Sequence, residues 1–204
     1  MSKTAKRLPQ AMRPSGRIGR MFGFLMRRLN GKAYRWTLEQ LRPVSPSSLL
    51  EIGFGTGDLM ALAIRNLKLA RTAGVDPSEL MVETARKRLR RFGKKTSLDI
   101  RQGDDATLPD GPFDAVAALH SFQFWANPDG ALKRIRERIA PKGRLILVLR
   151  MHGSGKKAAW LPNPLSRSGN EIVAACEALE RAGFRVVGLK GISKSSQGIV
   201  AAPV

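Results

Sequence analysis

The spacing of apolar residues changes along this chain, and each change marks a different kind of structure. Residues 1–20 hold Pro9, Pro14, Gly16 and Gly19 among basic residues with no sustained apolar period, so a flexible basic arm is expected there. From Met21 to Leu41 the apolar positions Phe22, Leu25, Met26, Leu29, Ala33, Trp36, Leu38 and Leu41 recur at helical spacing, with a break at Asn30–Gly31. That pattern predicts a helical cap of two short helices over residues 21–46, closed by Pro43 and Pro46. Beyond it, short apolar runs alternate with amphipathic stretches, the pattern of an α/β domain with a parallel sheet over residues 47–204. Strands are predicted at Ser48–Gly53, Thr72–Val75, Ser97–Gln102, Phe113–Leu119 and Arg144–Arg150. Helices are predicted from Asp58 to about Ala70, Pro77 to about Phe92, Asp129 to Ala140 and about Gly169 to Ala182. Two late strands, Phe184–Leu189 and Gly198–Ala202, end the pattern.

A length of 204 residues with 43% hydrophobic composition fits one domain with a short extension. The longest apolar runs, such as Leu145–Leu149, fall far short of the ~18 residues that a membrane span requires. A lone cysteine, Cys176, can form no internal disulfide. Charge is the abnormal quantity: 36 Lys and Arg stand against 16 Asp and Glu, a net of +20. Residues 1–45 contribute half of that excess, with Glu39 their only acid. Such a block is either a solvated surface or an attractor of nucleic acid or another anionic surface, because a summed positive field concentrates polyanions. The apolar stretch Met21–Met26 is interrupted by Gly23 and ends at Arg27–Arg28, so no secretory signal is expected. A cytoplasmic location is expected, with organelle targeting left open by the acid-free start.

Ligands of such sheets bind at the carboxyl ends of the strands, and the chemistry-bearing residues fall there. The segment Leu49-Leu50-Glu51-Ile52-Gly53-Phe54-Gly55-Thr56-Gly57-Asp58 places three glycines at alternate positions between a strand and a helix. Asp58 stands where a dinucleotide fingerprint would carry Gly or Ala. A carboxylate at that helix start opposes a pyrophosphate, whereas an ammonium group is favoured near Glu51 and Asp58. Asp76 ends the second strand nineteen positions after Gly57, where one carboxylate can accept both hydroxyl hydrogens of a ribose, or cap the next helix. Asp104 and Asp105 follow the third strand, where they either accept from an adenine amino group or shape the turn.

These motifs in order, with Gly-Val-Asp-Pro-Ser, Gly-Asp-Asp-Ala-Thr-Leu-Pro, Phe-Asp-Ala-Val and Ile-Ala-Pro-Lys-Gly-Arg-Leu-Ile-Leu, closely resemble the class I S-adenosylmethionine-dependent methyltransferases over residues 47–150. The resemblance implies a Rossmann-like three-layer sandwich whose seven-stranded, mostly parallel sheet has an antiparallel last strand. It implies S-adenosylmethionine as cofactor and no metal. By the same resemblance Glu51, Gly53, Gly55 and Gly57 line the methionine part, Asp76 holds the ribose, and Asp104 meets the adenine amino group. Asp105 departs from the alanine common in the family, and its backbone N–H is the part expected to serve.

Methyl transfer is an in-line displacement, so alignment of the acceptor carries much of the rate, and a base is needed only when the acceptor loses a proton. His120 and His152 follow strands that end on the ligand edge, and His120 stands where the family often has Asn. His120 is read as a general base or a hydrogen-bonded structural histidine, and His152 as a substrate-side residue. Phe124 and Trp125, with Phe122, form an acceptor platform or pack in the core. Little chain lies beyond the core domain to recognise a macromolecule, so a small-molecule acceptor is expected. The alternatives are an RNA or polyanion methyltransferase using the basic arm, and a non-catalytic cofactor-binding protein.

Overall fold

A computed structural model of the chain describes residues 30–151 and 169–204. The basic arm, the first of the two cap helices and His152 lie outside the described residues. The second cap helix is α1, Gly31–Leu41, followed by a 3-10 turn at Arg42–Val44. The chain then runs through β1 (Ser48–Ile52), α2 (Asp58–Asn66), β2 (Arg71–Asp76), α3 (Glu79–Leu89) and β3 (Ser97–Gln102). It continues through β4 (Phe113–Leu119), α4 (Pro128–Arg138), β5 (Ile139–Arg150), α5 (Gly169–Arg181), β6 (Phe184–Ser193) and β7 (Ser196–Pro203).

Several boundaries differ from the sequence expectation, β5 to β7 being longer than expected, and three helix ends have a clear local reason. Helix α2 stops at Asn66, because Leu67 is extended and the amides of Ala70 and Arg71 are taken by the Ser47 carbonyl, which seats β2 beside β1. Helix α3 starts after Pro77, with Ser78 as its N-cap accepting from the Met81 amide, while the Ser78 amide is held by Asp76. Helix α4 ends at Arg138 rather than Ala140, since Pro141 disfavours a helical residue before it, and Ile139 already pairs with Phe113.

The seven strands form one sheet in the order β3-β2-β1-β4-β5-β7-β6. Strands β1 to β5 are parallel, and β7 runs antiparallel to both β5 and β6. Alternation of side chains splits the buried residues into two layers. Leu50, Ile52, Val116, Ala118, Leu145 and Leu147 face α4 and α5, whereas Leu49, Ala115, Ala117, Ile146 and Val148 face α1, α2 and α3. This is the three-layer sandwich with an antiparallel last strand that the sequence implied. Chain order diverges on either side of β1 and β4, so a crevice opens at their carboxyl ends, the place where open α/β sheets bind ligands.

Candidate active site

The turn after β1 is set by backbone conformations that only glycine adopts freely. Gly53, Gly55 and Gly57 have φ of 74, 54 and 71°, all left-handed. Their roles differ. A Cβ on Gly53 would stand 2.5 Å from the Ser121 Cβ, so this glycine lets the loop after β4 close onto the turn, where the Ser121 hydroxyl donates to the Ile52 carbonyl at 2.7 Å. A Cβ on Gly55 would meet nothing within 4 Å. That residue faces open space, and its amide donates to Asp76 Oδ2 at 2.8 Å.

Three carboxyl groups approach one another beneath this turn. Glu51 shares a face of β1 with Leu49 and alternates with Leu50 and Ile52, so it points into the layer that α1, α2 and α3 cover, where it is 2% exposed. Burial, and then Asp58 and Asp76, push its carboxyl well above the ordinary range, while the Met60 amide pulls the other way. Its Oε2 is buried with no hydrogen-bond partner. Asp76 is pushed up to about 6 by burial, although the Ser78 and Gly55 amides both donate to it. Asp58 is committed to the Arg88 guanidinium and the Thr56 hydroxyl. That ion pair changes the expectation that Asp58 shares an ammonium group with Glu51.

Tyr34, the chain's single tyrosine, joins this group from α1. Burial and the nearness of Glu51 and Asp58 raise its phenol, and its hydroxyl accepts from the Asn30 side chain. It was invisible to the helical pattern because it sits off the apolar stripe. Only its place, on the helix just before the glycine turn, could have pointed to it.

Asp104 and Asp105 separate. Asp104 is exposed; its amide donates to the Thr107 hydroxyl at 2.9 Å and its Oδ1 accepts from the Ala106 amide at 3.0 Å. The Asp105 carboxylate is taken by Arg134 of α4 at 2.5 Å, and Arg134 Nε also donates to the Asp105 carbonyl at 2.8 Å. The structure thus ties the Asp105 side chain to α4 and does not bring it into the crevice.

At the end of β4, His120 has φ 55°, and its amide donates to the Val148 carbonyl at 2.7 Å. Nδ1 is buried without a partner, and burial followed by the Arg150 charge lowers the imidazole to about 4. Trp125 is not a free platform: it is buried and tilted against Phe122 at 5.0 Å, both within the α4 and α5 layer. An indole buried in that core contributes by excluding water and is not open to a ligand. Phe124 stays partly exposed, and Gln123 is buried with an unpartnered Oε1. Among the described residues no group of three His, Cys, Asp or Glu is placed to hold a metal ion.

The comparison with known proteins agrees with this geometry. Residues 50–145 match the family model of the Methyltransferase domain. With methyltransferases as the chain's relatives, this match supports the class I S-adenosylmethionine-dependent methyltransferase family. It is 26% identical to the uncharacterized methyltransferase YdaC of Bacillus subtilis, over 82% of this chain and 88% of that one. It is 31% identical to a demethylmenaquinone methyltransferase of Thermotoga maritima, over 68% of this chain and 60% of that protein's length. An S-adenosylmethionine-dependent methyltransferase from Clostridium acetobutylicum has the same fold, with a TM-score of 0.71 at 13% identity over 90% of this chain and 98% of that one. The residues present fit the cofactor: open space beside Gly55 and an unpartnered buried carboxyl oxygen on Glu51 suit a cationic, phosphate-free adenosine ligand.

Proposed function

We propose that this methyltransferase alkylates a small aromatic acceptor of the quinol or phenol type, bound between the ends of β4 and β5. The observation that carries the cofactor half of this reading is Glu51, a carboxyl at a core position with one oxygen unpartnered. An unsatisfied buried acceptor costs ~1–3 kcal/mol, a cost that a cationic ligand removes. When bound, S-adenosylmethionine supplies a methyl group on a positively charged sulfur. Glu51 and the glycine turn would hold its methionine part, Asp76 its ribose, and Asp104 its adenine amino group.

Support for a small acceptor comes from the demethylmenaquinone methyltransferase among the relatives and from the loop after β4. Phe124 offers a partly exposed ring, and Gln123 an unused buried acceptor. His120 would take the acceptor proton. An imidazole lowered to about 4 is neutral at physiological pH, and the nearby Arg150 that helps lower it would also favour an ionised acceptor oxygen. His120→Ala should therefore slow turnover of a phenolic acceptor by ~10²–10⁴ while leaving cofactor affinity unchanged. Labelled-cofactor mass spectrometry against a panel of quinols and phenols measures the first, and calorimetry the second. Full turnover in the variant would assign the rate to alignment alone.

A further inference from the structure

The cofactor and acceptor chemistry leaves a large part of the positive charge unused, and part of it converges from three separate helices. A groove of about 690 Å³ between α1, α2 and α3 is lined by Arg35, Arg65, Lys87, Arg88 and Arg91, with Asp58 as its acid. Asp58 is already held by Arg88. Arg35, Arg65, Lys87 and Arg91 have no carboxylate partner among the described residues. Cations in a last helical turn complement the helix dipole, which accounts for Arg65 and Lys87 where they stand. It does not account for Arg35 in the middle of α1, nor for four like charges facing one concavity, where each raises the cost of the others.

The groove is also built to hold its shape. Arg65 and Arg91 both stand over the buried Phe92 ring, at 5.6 and 4.9 Å from its centroid, so the two guanidinium groups are ordered before any ligand arrives. On the other side of α3 a second groove of about 930 Å³ is lined by Arg86, Lys87, Arg90 and Arg101. There Arg86 is committed to the Ile100 carbonyl and Arg101 to Asp99, while Lys87 lines both grooves and joins them. Exposed Lys94 and Lys95 continue the cationic path beyond α3.

We propose that this joined groove binds single-stranded nucleic acid through its phosphates. A flat anionic bilayer is matched by projecting cations beside apolar side chains that insert. Here the cations line concavities. The exposed large apolar residues among those described, Val173, Val187, Leu189 and Val204, lie on α5, β6 and the C-terminus, at the opposite edge of the sheet from β3. A strand, by contrast, can lay successive phosphates along a groove. The inference concerns where the enzyme docks and is independent of the acceptor it methylates.

Fluorescence anisotropy of the full chain with labelled single-stranded RNA and DNA 20-mers tests it. With about four phosphate contacts the slope of log affinity against log salt should be near −3, or about fifty-fold weaker binding between 50 and 200 mM salt. Lys87→Glu with Arg91→Glu should weaken binding at least tenfold and flatten the slope by about half. Arg185→Glu with Lys190→Glu, on β6 at the other edge, should change it less than threefold, and both variants should keep their circular dichroism and their affinity for S-adenosylhomocysteine. Deleting residues 2–18 should lower affinity for wild type and groove variant alike, preserving their ratio. Equal losses in the two double variants, no binding at low salt, a ratio that vanishes with the arm, or tighter binding to phosphatidylglycerol vesicles than to either 20-mer would overturn the proposal.

Discussion

Asp76 and Glu51 show how one residue position can carry both the fold and the ligand. Asp76 fixes the glycine turn through the Gly55 amide and the start of α3 through the Ser78 amide. Asp76→Asn keeps a single acceptor oxygen for those two donors, so it should cost ~1–3 kcal/mol of stability as well as affinity. Protonation gives a cleaner readout. Both carboxyls are raised in the folded protein, Asp76 to about 6 and Glu51 well above the ordinary carboxyl range, with burial as the first cause. Their contribution to stability is therefore fully present below the ordinary carboxyl range of ~4 and is lost as pH rises through the folded values. A cationic ligand favours the ionised forms. Binding of S-adenosylmethionine should release protons near pH 6, strengthen as pH rises through that value, and raise the melting temperature more at pH 8 than at pH 5. Calorimetry in two buffers of different ionisation enthalpy measures the release. A buffer-independent binding enthalpy between pH 5.5 and 7.5 would mean that neither acid faces the ligand.

At the scale of elements, the sequence made the sheet legible because each strand is a short apolar run, and the glycine turn legible because three glycines at alternate positions have few other uses. Asp76 was legible by its distance from that turn. What escaped were contacts set by segments far apart in the chain. Tyr34 reaches the acids from α1, Ser121 closes on Gly53 from β4, and Arg134 decides between two adjacent aspartates from α4. No local pattern distinguishes Asp104 from Asp105, since the difference is a guanidinium 29 residues away. The same kind of contact fixes α1. Trp36 is buried on β7, and a Cβ on Gly198 would run into its six-membered ring. Gly198→Ala should thus destabilise the protein by ~1–3 kcal/mol through overpacking. In a Trp36→Phe background the added methyl has room, so the penalty of the alanine should shrink there. Urea unfolding of the two single variants and the double variant checks this coupling, and purely additive effects would show that α1 and β7 do not share the strain.

For the whole molecule, the distribution of charge separates the cofactor site from the basic arm. Eight of the 36 Lys and Arg, and none of the acids, belong to residues 1–28. The cofactor site is the opposite, with Glu51, Asp58 and Asp76 within electrostatic reach of one another. S-adenosylmethionine carries a net positive charge at neutral pH, and its demethylated product is one charge less positive. A basic arm therefore has no electrostatic reason to recruit the cofactor, and at physiological salt its field is screened beyond ~8 Å. Deleting residues 2–18 removes five cations. Cofactor affinity should stay within roughly tenfold, or ~1.4 kcal/mol. Any change at low salt should be a tightening, larger for S-adenosylmethionine than for S-adenosylhomocysteine, and it should fade as salt is added. Titration of both ligands at 20 and 200 mM salt separates the two effects. A weakening beyond tenfold that persists at high salt would instead mean that the arm contributes direct contacts to the pocket.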